Sequence, residues 1–214
     1  MEPVVLEGFD ITIERGEVLR LLGQRPETGR DSGERLHEAV HEALSRVGAL
    51  VSPKGIYTVT AGTELPGSSY FDELERVAFC VCTIGPAVEE EVTALSGRGE
   101  LLRAVVLDSV GSVAAEATAD YMDRRIQGEA AREGLKTSCR ASPGYGDWEI
   151  REQGAIFELL PTGRIGVRLT PSFMMVPRKS VSFAVHIAKK PIRMRGENSC
   201  RNCDITDCPY RLLE

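Results

Sequence analysis

What this chain lacks narrows it first. Of its 214 residues only three are histidine, one is tryptophan and 6% are aromatic. It has no excess of basic charge: Lys and Arg number 26 against 32 Asp and Glu, giving a formal net charge of −6. That balance excludes a general affinity for nucleic acid or an anionic membrane, which needs clustered positive charge. No apolar run approaches the ~20 residues that a membrane helix requires. The opening, MEPVVLEGFD, has neither the basic nor the apolar region of a secretion signal, so a cytoplasmic location is expected. In that compartment the six cysteines are expected to be reduced or metal-bound rather than paired. Internal repeats are absent, as are the G-x-G-x-x-G and G-x-x-x-x-G-K-[ST] loops that cradle phosphates.

What is present is an ordinary core, 42% hydrophobic residues, arranged with readable periods. Residues 4–22 suggest a short strand and then a helix that stops at Gly23. ERLHEAVHEALSRVG (34–48) carries Leu36, Val40, Leu44 and Val47 on one stripe, which predicts an amphipathic helix. GIYTVTAG (55–62) and RVAFCVCTIG (76–85) read as strands, and Pro86 suits the first turn of the helix AVEEEVTALS. A long helix is expected over about 99–128, with Leu102, Val106, Val110, Val113 and Ala117 buried. Gly111 in its interior costs roughly 1 kcal/mol against alanine and therefore needs a packing or functional reason. DWEIREQGAIFELL (147–160) is expected to be helical with Asp147 as cap, and RIGVRLT (164–170) and SVSFAVHI (180–187) to be strands. The order, without regular βαβ alternation, predicts an α+β fold: a mixed, largely antiparallel twisted sheet flanked by helices, with a cysteine-rich C-terminal tail.

Four motifs bear on chemistry. HEAVH (37–41) matches the H-E-x-x-H zinc pattern. It lies too near the N-terminus to follow the sheet such enzymes build first, and no third histidine follows at the needed spacing. The motif reads as the polar flank of a helix. Cys80 and Cys82 share one face of an apolar strand and read as core. Cys200, Cys203 and Cys208, in a C-x₂-C-x₄-C spacing, offer three thiolates to zinc or an iron–sulfur cluster; free thiols on a tail are the alternative. The fourth ligand would be Cys139, Asp204, Asp207 or a partner residue.

RASPGYGDW (140–148) concentrates turn chemistry, an arginine, a tyrosine and the sole tryptophan. Pro143 and Gly144 force a sharp bend whose main-chain polar groups are left without a ladder, and must find water or a ligand. Arg140 can grip a carboxylate with two parallel hydrogen bonds. A structural turn capped by Asp147 accounts for the same residues.

RASPGYG (140–146), LDSVGSVAAEATADYMDRRI (107–126) and IGVRLTPSFMMVPRKSVSF (165–183) together resemble the activation domain of vitamin B12-dependent methionine synthase. The resemblance implies a domain that binds S-adenosylmethionine and caps the cobalamin of a separate module. There an electron from flavodoxin or ferredoxin reduces inactive cob(II)alamin, and the S-adenosylmethionine methyl traps the reduced state. Carried over by position, Arg140 would hold the methionyl carboxylate, while Ser142, Gly144 and Tyr145 would form the turn facing the ligand. Glu116 would be the carboxylate that balances its positive charge. No D-x-H-x-x-G cobalamin motif occurs, so a corrinoid-bearing partner is implied, and the chain alone is assigned no catalytic residue. T-P-S stands where the family has T-E-S. The expected organisation is an N-terminal part (1–75), an S-adenosylmethionine-binding core (76–190) and a cysteine-rich tail (191–214). The competing reading is a metal- or iron–sulfur-binding redox protein on the same fold.

Overall fold

The computed structural model describes residues 2–24, 33–67 and 70–194. Uninterrupted apolar sequence puts VAFCVCT at the centre of a sheet, because only a strand covered on both faces can bury every side chain. All seven residues of this strand, β3 (Val77–Thr83), are buried. Its neighbours are β2 (Lys54–Thr60) and β7 (Ser180–Ala188), both antiparallel to it. β1 (Val4–Glu7) lies on the far side of β2, and β4 (Lys136–Thr137) on the far side of β7. The order is β1-β2-β3-β7-β4, antiparallel throughout, so the α+β expectation holds.

The pleat of β3 divides the core. Val77, Phe79 and Val81 face a layer containing Trp148, Ile156, Leu160 and Met194. Ala78, Cys80 and Cys82 face Ala119, Met122, Ile126 and Ala130. These last four belong to α4 (Leu101–Arg132), 32 residues long, whose first half packs instead on α1 (Arg15–Leu21), α2 (Gly33–Val47) and α3 (Ala87–Gly97). One helix thus serves two cores. Cys80 and Cys82 are fully buried, and burial first, then Cys82 beside it, pushes the Cys80 thiol up. Both thiols are core residues, as the sequence suggests.

Gly111 has its packing reason. A Cβ there would lie 2.7 Å from Val88 Cγ1 and 3.3 Å from Lys179 Cε. Lys179 Nζ also reaches Asp108 and Ser112, each at 2.8 Å, so the crossing is pinned as well as tight. Val88 is fully buried and stiff at its branch, so Gly111→Ala is expected to destabilise the protein by ~1–3 kcal/mol. Urea denaturation with an unchanged m-value would register it.

Three expectations are corrected. Leu102 is 45% exposed, and the buried stripe of α4 starts at Ala104 and Val106. Residues 147–160 give only a 3₁₀ turn, Ile150–Glu152, and the short α5 (Gln153–Leu159). The residue preceding that turn is Glu149, so Asp147 is not its cap. Residues 164–170 yield a 3₁₀ turn ending in Gly166 at φ +75 and a two-residue strand, β5 (Arg168–Leu169), paired with β6 (Met175–Val176). Gly166 lies in the left-handed region, where a continuing strand has no place.

Candidate functional site

The site forms where the chain leaves α4, makes the short β4, and bends at 140–148 over the helix it has just left. Ala141 bridges Ala184 of β7 through bonds of 2.9 and 2.8 Å, which fixes the entry to the bend. Trp148 fixes its exit. The indole is fully buried, edge-on to Phe71 at 4.9 Å and stacked on Tyr70 at 5.4 Å. The tryptophan is therefore the anchor of the bend.

Between these anchors the bend closes on itself. Gly144 N donates to Trp148 O at 2.7 Å, Tyr145 N to Ser142 O at 3.2 Å, and Trp148 N to Tyr145 O at 3.2 Å. These three amides find partners inside the bend, against the expectation that its main-chain groups must turn to water or a ligand. Among buried side-chain atoms of the bend, Arg140 Nη1, Ser142 Oγ and Trp148 Nε1 have no partner. Gly144 sits at φ +91, where a side chain would be strained and a Cβ would lie 3.3 Å from Ile150 Cδ1.

Arg140 is the centre of charge. Its side chain is 15% exposed, its guanidinium lies 5.5 Å from the Phe183 ring centroid, and its Nη2 donates to Glu116 Oε2 at 3.1 Å. The same Nη2 reaches Asp120 Oδ1 at 2.9 Å. Asp123, one turn further along α4, adds a third carboxylate within electrostatic reach. Burial works to lower the Arg140 pKa, but Glu116, Asp120 and Asp123 outweigh it and hold the guanidinium charged. Burial also raises the Asp123 carboxyl above its ordinary range against the opposing pull of Arg140. The Tyr145 ring is half exposed, and its phenol is pushed up by burial and then by the Glu116 charge.

A cleft of about 390 Å³ runs beside this cluster, lined by Asp123, Gln127, Thr137, Ser138, Cys139 and Arg140. A second cavity, about 250 Å³, lies among α2, α3 and α4. There Arg103 and Arg46 both pair with Glu42, at 3.0 and 3.4 Å, so its rim charges answer one another. The cleft at Arg140 is different, since Glu116, Asp120 and Asp123 outnumber the two cations beside them, Arg140 and Arg124. That excess of negative charge suits a positively charged ligand.

The structure thus brings Glu116, Arg140 and Tyr145 together and buries Ser142 beside them, with Gly144 making the turn. Asp120 and Asp123 were missed; the signal available was their spacing from Glu116, since residues 116, 120 and 123 follow one helical face. Cys200, Cys203 and Cys208 lie outside the described residues. Among the described residues no group of three or more His, Cys, Asp or Glu is placed to hold a metal. His37 of the HEAVH motif has Nδ1 2.8 Å from Arg15 Nη2. None of the helices among the described residues is long and apolar enough to cross a membrane.

The Asp123 environment makes a pH prediction. Arg140, Asp120, Arg124 and Gln127 face its carboxyl. A carboxyl raised in the folded state binds its proton more tightly folded than unfolded. Its cost is therefore absent below the ordinary carboxylate range and appears as pH rises through the raised value. Asp123→Asn should match the wild type in thermal midpoint at acid pH and exceed it at neutral pH. Thermal unfolding across pH checks this.

The fold is an α+β domain with an acidic cleft between a long helix and an arginine-bearing bend. The family model for the vitamin B12-dependent methionine synthase activation domain matches residues 71–191. More than half of the chain lies in that match, and the chain belongs to this family. A crystal structure of the MetH reactivation domain bound to AdoHcy superposes with a TM-score of 0.67 at 16% identity. The alignment covers 91% of this chain and 81% of that one, and at this identity it speaks for the fold.

Proposed function

We propose that the chain binds S-adenosylmethionine in the Arg140 cleft and supports reductive methylation of the cobalamin held by a partner module. The observation that carries the reading is the charge arrangement: one buried arginine with a free nitrogen, Nη1, among Glu116, Asp120 and Asp123. The ligand's carboxylate suits Arg140 Nη1, and its ammonium and sulfonium suit the surrounding carboxylates. Ser142 Oγ, buried and unpartnered, offers a further hydrogen bond. The half-exposed Tyr145 ring, within electrostatic reach of Glu116 and Arg140, offers a face to the ligand.

The family implies a cobalamin-binding module as partner. That corrinoid, held elsewhere, supplies the metal centre that accepts the electron and the methyl group. This chain's share is positioning: it holds the methyl donor in one orientation in the Arg140 cleft. Flavodoxin or ferredoxin is the proposed electron donor. The proposed division keeps residues 76–190 as the binding core. Cys200, Cys203 and Cys208 are proposed as thiolate ligands for zinc or an iron–sulfur cluster, a reading tested by metal analysis of anaerobically purified protein.

The deciding experiment is methylcobalamin formation from a cob(II)alamin-loaded partner, reductant and S-adenosylmethionine, with and without this chain. Formation only when the chain is present supports the reading. Equal formation without it, or no calorimetric binding of S-adenosylmethionine, overturns it.

A further inference from the structure

We infer that Asp120 and Asp123 let this site distinguish a sulfonium from the thioether left after methyl transfer. The inference rests on the reading of the cleft as an S-adenosylmethionine site and names what sets its selectivity. Glu116 and Asp120 both contact Arg140 Nη2, at 3.1 and 2.9 Å, and Asp123 acts on the same guanidinium through space. Two buried atoms of opposite sign in this cluster, Arg140 Nη1 and Asp123 Oδ1, have no partner. Ser142, two residues beyond Arg140 and 5% exposed, also leaves its hydroxyl unpartnered. The polar capacity of the cluster is therefore not consumed internally.

The charge count then discriminates. Two guanidiniums, Arg140 and the Arg124 that acts on Asp123, among three carboxylates leave the cluster at net −1. S-adenosylmethionine brings an ammonium, a sulfonium and a carboxylate, net +1. When the methyl leaves, the carbon–sulfur bond breaks with both electrons retained by sulfur, which becomes a neutral thioether. The methyl passes to the reduced metal centre of the partner's corrinoid. S-adenosylhomocysteine is then net neutral in its amino-acid and sulfur part, and the cluster holds it less well. With its carboxylate on Arg140, the sulfur follows a few bonds behind in the same short chain, within range of the α4 carboxylates. In a partly desolvated cleft, charges several ångströms apart still interact appreciably, because the effective dielectric constant is ~20 rather than 80. Glu116 is the carboxylate the family resemblance already supplies; Asp120 and Asp123 make the surplus.

Asp120 also orients Arg140, so the test must separate orientation from charge. The purified full chain is titrated by calorimetry with S-adenosylmethionine, S-adenosylhomocysteine and sinefungin, whose amine is cationic without a sulfonium. Wild type is expected to prefer the two cationic ligands. Asp120→Asn and Asp123→Asn should each shrink that preference by about three- to tenfold, with S-adenosylhomocysteine, which keeps only its ammonium, losing less affinity than S-adenosylmethionine. Asp120→Glu, which keeps the charge, should restore it. Equal loss of affinity for all three ligands would mean that these aspartates only orient Arg140, and the inference falls alone. No binding of any ligand to the wild type would overturn the site reading together with the inference.

Discussion

Arg140→Gln should lower the affinity for S-adenosylmethionine by about 100-fold or more. Removing the guanidinium takes charge-assisted hydrogen bonds from the ligand carboxylate and leaves its neighbouring charges unanswered, an effect that water screens in part because two of the three carboxylates are half exposed. Here those charges are Glu116, Asp120 and Asp123, all of which act on the one guanidinium. Arg140→Lys should recover little, because a single ammonium cannot hold Asp120 and Glu116 from one nitrogen and offer a second nitrogen to the ligand. Calorimetric titration, with circular dichroism to establish folding, reads both variants. Binding within tenfold of wild type in the glutamine variant would remove Arg140 from the site.

The second large effect is on stability. Trp148→Ala should cost ~3–5 kcal/mol, because a fully buried indole leaves a void among Tyr70 and Phe71. Trp148→Phe should recover most of that loss, since Nε1 makes no hydrogen bond that phenylalanine would forfeit. Urea denaturation followed by far-ultraviolet circular dichroism distinguishes the two. A phenylalanine variant as unstable as the alanine one would show that the indole nitrogen matters and that the packing argument is incomplete. Because Trp148 O receives Gly144 N, the alanine variant should also weaken ligand binding by loosening the bend.

Much of the architecture is legible in local sequence. β3 reads as central because every position is apolar or small, and α2 because its stripe repeats at helical spacing. The errors share a cause. Ile165 and Val167 alternate as a strand would, yet Gly166 between them takes φ +75 and both bury from a turn. Leu102 fits the stripe of α4 by period, but that stripe has nothing to pack against before Ala104. Turn chemistry in the bend suggests amides in need of an external partner, yet Gly144, Tyr145 and Trp148 N all find carbonyls within 142–148. Beyond their helical spacing nothing in the sequence marks Asp120 and Asp123, whose surroundings depend on an arginine 17 to 20 positions away. Periodicity reports which face is buried but not which distant charge arrives there.

The sharing of α4 between two cores sets a limit on dissection. Val106, Val110 and Val113 are covered in part by the helices before residue 48, and β1 and β2 supply two of the five strands of the sheet that α4 packs on beyond Glu116. A shortened protein starting at residue 71, where the family match starts, would present that greasy flank to water and an unzipped strand edge to its neighbours. The first third of the chain is a splint for the helix that carries the site. Changes made far from the cleft, along α1 and α2, are positioned to tune it.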